Sequence, residues 1–352
     1  MTGDGPALPR VLHAFGFSLR KLAIVRNFLA PIRVETLGRL GAIPPGGTFL
    51  LWGMSVQSTD IPPGHDVVRV EDGFLRSVGL GADLVPPLSL VFDTRGIYFD
   101  ATICSDLEHI LQTASFTDPE LTRARRLRER VVATAMTKYN VGGAPWAYAG
   151  PPKRVVLVPG QVEGDASLAF GAPGLRSNLA LLRAVREANP NVHVLYKPHP
   201  DVVAGLRAAG SDEALAKDYC DEWLVDTPMG ALLPLVDEVH VLTSQTGFEA
   251  LLRGKKVVCY GQPFYAGWGL TTDILPVARR SKKLTLDALV AGALIAYPKY
   301  WSVEQKRCTT PEEALDALES RRAAARAQEA SPGRKMLQRL VSSLWRPLVR
   351  RR

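Results

Sequence analysis

Apolar residues in this chain fall into short runs separated by longer amphipathic stretches, and the two spacings predict different elements. Runs at Thr48–Trp52, Asp66–Val70, Ser89–Phe92 and Gly96–Phe99 read as strands. Asp93-Thr-Arg-Gly96 between the last two predicts a hairpin turn. Residues 118–138 set Leu121, Leu127, Val131 and Val132 on one side of a charged helix. After a Gly/Pro-rich, uncharged stretch at Asn140–Pro152 the pattern becomes more regular. Val155–Val158 is wholly β-branched and aliphatic, as in a parallel strand covered on both faces. A helix is predicted at Ser177–Ala188, a strand at Val192–Tyr196 and a helix near Asp201–Ala209. Strand Glu238–Leu242 leads into a helix at Gln245–Arg253 that Gly254 ends, and strand Lys256–Tyr260 follows.

Strand–helix alternation of this kind predicts an α/β fold with doubly wound parallel sheets. The chain divides into a first domain over 1–145, a second over 153–315 and a tail over 321–352. In the tail Leu337, Leu340, Val341, Leu344, Trp345 and Leu348 recur at helical spacing among basic residues. No repeat of solenoid or propeller period is visible.

Composition narrows the class. The 352 residues are 46% hydrophobic and 22% charged, which excludes a disordered or collagen-like chain. No apolar run reaches the roughly 18 residues a membrane span needs, and residues 257–272 are broken by Gly261, Pro263, Gly267 and Gly269. Residues 1–30 lack the apolar core and cleavage site of a secretion signal. Four scattered cysteines without metal spacing read as reduced thiols of a cytoplasmic protein, with no metal expected. The net charge of +8 first suggests a nucleic-acid partner, yet its distribution argues against one. Residues 1–45 carry +4, residues 321–352 carry +9, and the body between them carries −5. A basic amphipathic tail of this kind matches an anionic membrane surface instead.

The chemistry-bearing residues lie at strand ends, where doubly wound sheets gather their ligands. Three loops of the second domain are unusually polar: Pro159-Gly-Gln-Val-Glu-Gly-Asp165, Lys197-Pro-His-Pro200 and Thr243-Ser-Gln-Thr-Gly247. Lys197, His199, Ser244 and Thr246, with the free amides of a helix N-terminus, can neutralise a phosphate. No Walker A pattern and no D-x-D pair is present. In the first domain Glu71-Asp-Gly73 follows a strand, with Arg76 close by, and two such carboxylates suit proton transfer. Each signal also has a plain structural reading: Ser244 and Thr246 as helix caps, His199 as a turn residue, Glu71 and Asp72 as a solvated turn. Trp268 is either a buried loop anchor or a platform for a sugar or base.

Longer strings then become recognisable. Val70-Glu-Asp-Gly-Phe-Leu-Arg-Ser-Val-Gly-Leu-Gly81, Pro159-Gly-Gln-Val-Glu163, Tyr196-Lys-Pro-His-Pro-Asp-Val-Val203 and the run from Tyr260 to Asp273 resemble the capsular polysaccharide β-Kdo glycosyltransferases, the KpsC/LipB family. The likeness extends from about residue 45 to 315 in one module, where members commonly carry two. It implies a GT-B-like fold, two Rossmann-type domains with a cleft between them. It implies retaining transfer of Kdo from CMP-Kdo to a lipid-linked, Kdo-bearing acceptor at the inner face of the cytoplasmic membrane, beside other capsule-assembly proteins. The resemblance assigns Asp165, or its competitor Glu163, as nucleophile, Asp72 as base and Glu71 as its orienting partner. Lys197, His199, Ser244 and Thr246 would hold the phosphate and Glu249 the ribose, while Gln161, Arg76 and Trp268 would face the sugar. The acid-acid-Gly and His-Pro motifs are shared with CMP-sugar sialyltransferases, so another CMP-activated acidic sugar is an alternative donor. A non-catalytic, glycolipid-binding scaffold of capsule assembly is the alternative of a different class.

Overall fold

The computed structural model describes residues 8–79, 85–140, 143, 145–210 and 212–330. In its first domain, β1 (Val11–Phe15) leads into α1 (Leu19–Leu29) and returns as β2 (Arg33–Thr36). Ser18 Oγ caps α1 by accepting from Lys21 N at 3.3 Å, and Leu22, Val25, Phe28 and Leu29 form its buried stripe. Strands β3 (Thr48–Trp52), β4 (Asp66–Asp72) and β5 (Ser89–Asp93) follow, then helices α2 (Asp106–Thr113) and α3 (Asp118–Ala133). In α3 the Glu120 carboxylate reaches back to Thr117 N at 2.8 Å, which fixes the helix start.

The second domain begins at β6 (Val155–Pro159). It continues through α4 (Ala166–Gly171), α5 (Asn178–Ala188), β7 (His193–Lys197), α6 (Pro200–Val203), β8 (Glu222–Trp223) and α7 (Met229–Leu232). Strand β9 (Glu238–Val241), helix α8 (Gln245–Leu252) and strands β10 (Lys256–Cys259) and β11 (Thr272–Asp273) complete its sheet. That sheet has the order β11-β10-β9-β6-β7-β8 and is parallel throughout. Its central residues, Val156, Leu157, Val194, Leu195 and Val239, are inaccessible to solvent, as their unbroken apolar pattern requires.

Beyond β11 the chain goes back to the first domain. Helix α9 (Leu286–Val290) packs on α3, strands β12 (Pro298–Ser302) and β13 (Arg307–Thr309) join the first sheet, and α10 (Pro311–Ala330) closes over it. The first sheet therefore has seven strands in the order β13-β12-β5-β4-β3-β1-β2. This corrects the expected second-domain limit at 315, since Pro298 pairs with Val91 and Tyr300 with Ser89. The tail boundary at 321 likewise falls inside α10, whose Arg322 donates to Thr134 O at 2.5 Å. The remainder of the proposed tail, residues 331–352, lies outside the described residues.

Two further expectations change. Gly96–Phe99 is not a strand, because buried Asp93 draws the chain into a turn. Its carboxylate accepts from Gly96 N (2.8 Å), Arg95 N (3.0 Å) and the Tyr297 hydroxyl (2.8 Å). The helix expected near Asp201–Ala209 ends at Val203.

One apolar core runs through both domains: Phe74, Leu88 and Val91 belong to the same cluster as Leu157, Val241, Phe248 and Phe264. At its centre the Phe74 ring lies 4.6 Å from that of Phe264 and 5.9 Å from that of Phe248. A buried ion pair reinforces this contact. Glu108 of α2 accepts from Arg279 Nε and from Arg280 Nε (2.8 Å), and Arg279 Nη2 donates to Ala101 O at 2.7 Å. Replacing Glu108 by alanine leaves the guanidinium of Arg280 buried without a counter-ion. We expect Glu108→Ala to cost about 3–5 kcal/mol in urea unfolding, with Glu108→Gln, which keeps an acceptor, losing less.

Candidate active site

A cleft of about 820 Å³ opens between the carboxyl end of β4 on one side and those of β6, β7 and β9 on the other. On the first-domain wall, Glu71 and Asp72 are the last residues of β4. Glu71 Oε1 accepts from Asp72 N at 3.0 Å. Gly53 stands at φ 49°, and a Cβ there would come within 2.9 Å of Glu71 Oε2. Burial, and then the charge of Asp72, pushes the Glu71 carboxyl up to about 7. Asp72 Oδ2 accepts from Arg76 Nε at 2.6 Å, and Arg76 Nη1 donates to Ser77 Oγ at 2.7 Å.

On the opposite wall, the loop after β6 is fixed by Gln161. Its N donates to Asn178 Oδ1, its Nε2 to Thr243 Oγ1, and its Oε1 accepts from Thr243 N, each at 2.9 Å. Asp165 ends this loop as the N-cap of α4, exposed at the cleft and accepting from Ala166 N at 2.8 Å. Glu163 turns away, and its Oε1 accepts from Asn178 N at 2.7 Å. Buried Lys197 donates from Nζ to Val225 O at 3.1 Å, and its burial lowers the proton affinity of the amine. His199 Nδ1 accepts from Asp201 N at 3.2 Å, which puts the proton of the neutral ring on Nε2. Burial, then the cations Lys138, Arg207 and Lys197, push His199 down to about 4, so the ring is neutral at neutral pH. Ser244 Oγ accepts from Thr246 N at 3.2 Å and caps α8, whose first turn faces the cleft with Thr246. Glu249, one turn further on, is buried and accepts from Lys138 N at 2.7 Å.

Ten of the residues singled out from sequence thus line one cleft: Glu71, Asp72, Arg76, Gln161, Asp165, Lys197, His199, Ser244, Thr246 and Glu249. Two do not. Glu163 caps α5, and Trp268 is wholly buried with its Nε1 donating to Phe264 O at 2.8 Å. Trp268 is therefore the loop anchor and not a sugar platform, because its indole has no face left for a ligand. Arg76 and Gln161 line the cleft while engaged by protein partners, Asp72 and Thr243. The structure adds Lys21, whose Nζ lies 3.7 Å from the Trp52 ring centroid, together with Tyr98, Lys138, Tyr139 and Gln245. No local pattern marks these residues, since the packing of the two domains brings them to the cleft. Among the described residues no group of three or more His, Cys, Asp or Glu side chains is placed to hold a metal ion.

The family model described as "Capsule polysaccharide biosynthesis protein" matches residues 63–141 and 147–300, which include both walls of the cleft. The chain belongs to this family. It is 50% identical over 318 residues to the capsule polysaccharide modification protein LipA of Neisseria meningitidis serogroup B, covering 87% of this chain and 45% of LipA. It is 44% identical over 260 residues to the lipopolysaccharide-processing protein LpsZ of Rhizobium meliloti, covering 72% of this chain and 59% of LpsZ. The chain thus spans about half the length of these family relatives. Among solved structures it is similar to the KpsC β-Kdo 2,7 transferase of Thermosulfurimonas dismutans, with TM-score 0.75, 40% identity and coverage of 88% of this chain and 98% of that one. The β-Kdo 2,4 transferase of the same organism gives TM-score 0.76 and 30% identity, covering 87% and 97%. The fold is of GT-B type, as expected from the sequence. No helix among the described residues is long and apolar enough to cross a membrane.

Burial raises the Glu249 carboxyl to about 7. Between the unfolded-chain value of about 4.3 and about 7, the folded protein holds this proton more tightly than the unfolded chain does. Its contribution to stability therefore falls as pH rises through that window. A Glu249→Gln substitution would keep the acceptor for Lys138 N without the charge. The Tm of this variant, relative to that of the parent protein, should accordingly rise between about pH 5 and about pH 8 in thermal unfolding.

Proposed function

We propose that the chain is a retaining β-Kdo transferase that moves Kdo from CMP-Kdo to a lipid-linked, Kdo-bearing acceptor in capsule linker synthesis. The observation that carries this reading is the convergence of Glu71 and Asp72, the exposed carboxylate of Asp165, and the donors His199, Lys197, Ser244 and Thr246 on one cleft. The likeness to two β-Kdo transferases over most of the chain supports the choice of sugar, and the greater identity to the first of them favours a 2,7 product.

In this mechanism the Asp165 carboxylate attacks the anomeric carbon while the bond to the CMP phosphate breaks. A single hydrogen bond from Ala166 N leaves Asp165 its lone pairs for this step, whereas Glu163 is turned out of reach. His199 Nε2–H, Lys197, the hydroxyls of Ser244 and Thr246 and the amides of α8 offset the charge on the departing phosphate. CMP then leaves without a metal ion or other cofactor, and Glu249 is the acceptor for a ribose hydroxyl. The acceptor hydroxyl next displaces Asp165, giving up its proton to the acid pair. Glu71, held near 7, is suited to take that proton, and Asp72, anchored by Arg76, to orient it. This exchanges the roles that the family resemblance assigned. The protein would work at the inner face of the cytoplasmic membrane, held there by the basic residues of its C-terminal segment.

Three measurements test this reading. Asp165→Asn should lower transfer from CMP-Kdo at least about a thousandfold with CMP affinity retained; undiminished turnover would remove Asp165 from the mechanism. The value of kcat/KM should rise as pH increases through about 7, where Glu71 loses its proton. Glu71→Gln should abolish that limb and cost about 100- to 10,000-fold. Deleting residues 331–352 should weaken binding to anionic liposomes and leave transfer to soluble acceptors intact.

A further inference from the structure

Three cations that line the cleft have protein partners: Arg76 donates to Asp72, Lys197 to Val225 O, and Lys21 lies on the Trp52 ring. Lys138, half-buried in the same cleft, does not. Among the described residues its Nζ has no hydrogen bond and no ion pair, and its nearest specific contact is the Tyr139 ring, 5.5 Å away.

This exception is built into the fold. Lys138 N donates to Glu249 at 2.7 Å, and its O accepts from Ser77 N at 3.4 Å. Asn140, at φ 56°, donates from Nδ2 to Ser77 O (3.0 Å) and to Thr137 O (2.7 Å), and its Oδ1 accepts from Thr137 N at 2.8 Å. The loop thus holds the lysine backbone from both domains, with Asn140 in a conformation that non-glycine residues seldom adopt. Glu71 and Asp72 face the ammonium from β4, Tyr98 from the first domain, and Tyr139 and His199 from the phosphate-binding side. None of them comes within ion-pair distance.

We infer that Lys138 is the receptor for the carboxylate of the donor sugar, an inference that rests on the transferase reading above. In a CMP-activated 2-keto-acid sugar the carboxylate and the phosphate are attached to the same carbon. A group that receives this carboxylate must therefore lie between the phosphate donors and the acid pair, which is where Lys138 stands. Arg76, expected from the family resemblance to face the sugar, is engaged by Asp72. Recognition of the carboxylate would reject neutral nucleotide sugars and would fix the face of the anomeric carbon presented to Asp165.

The test compares the wild-type protein with Lys138→Met and Lys138→Arg, each saturated with CMP and titrated calorimetrically with Kdo and with Kdo methyl ester. The wild type should prefer the acid by about 10- to 100-fold, the usual worth of a charge-assisted hydrogen bond. Lys138→Met should bind acid and ester alike, Lys138→Arg should retain most of the preference, and CMP affinity should change by less than about threefold in both. In transfer assays Lys138→Met should raise KM for CMP-Kdo. Retention of the acid preference by Lys138→Met, equal binding of acid and ester by the wild type, or a parallel loss of CMP affinity would overturn the inference. Wild type that transfers from no CMP-sugar would overturn the transferase reading, and the titrations would still decide the role of Lys138.

Discussion

The geometry of the cleft depends on a small set of hydrogen bonds across the seam between the domains. Three of them cross it, Lys138 N to Glu249, Arg253 Nη2 to Met136 O and Gln245 Nε2 to Phe74 O, and a fourth bond, Asn140 Nδ2 to Ser77 O, ties the loop before the seam to the segment after β4. All lie in part-buried surroundings, where a broken bond would leave a polar group unsatisfied. They hold the strand that ends in Glu71 and Asp72 at a fixed distance from the helix whose N-terminus faces the phosphate donors. The aromatic contacts of Phe74, Phe248 and Phe264 lie directly behind them, so polar and apolar terms favour the same arrangement.

The electrostatics follow from this packing. Two carboxyls on opposite sides of the cleft, Glu71 and Glu249, are both raised to about 7, and burial is the leading cause for each. His199 is neutral for the same reason. These three groups thus lie near their midpoint or in the uncharged form at neutral pH, beside the cation of Lys138 and the Asp72–Arg76 ion pair.

Much of this was legible in the sequence, because its signals are local. Val155–Val158, His193–Lys197 and Glu238–Val241 are apolar runs that end abruptly in polar residues, and Asp165, His199 and Ser244 stand at those breaks as caps. Glu71 and Asp72 were visible for the same reason. What stayed hidden depends on distant partners. Strand β12 finds its place through pairing with β5, far back in the chain, and Lys138 enters the cleft only because Glu249 and Ser77 hold its backbone there. Trp268 misled because a Gly-rich loop with an aromatic looks like a binding platform until Phe264 O and the surrounding core enclose its indole. Gly96–Phe99 had the apolar content of a strand, but buried Asp93 needed the backbone amides of the turn.

The return of β12, β13 and α10 to the first sheet makes the first domain discontinuous, with the second inserted between its two parts. The polypeptide therefore passes between the domains twice, once near Thr137–Asn140 and once between β11 and α9. Two covalent connections, set beside an apolar core continuous through both domains, resist rotation of one domain over the other. The placement of Glu71 opposite Asp165 is thereby set by the path of the chain as well as by side-chain packing.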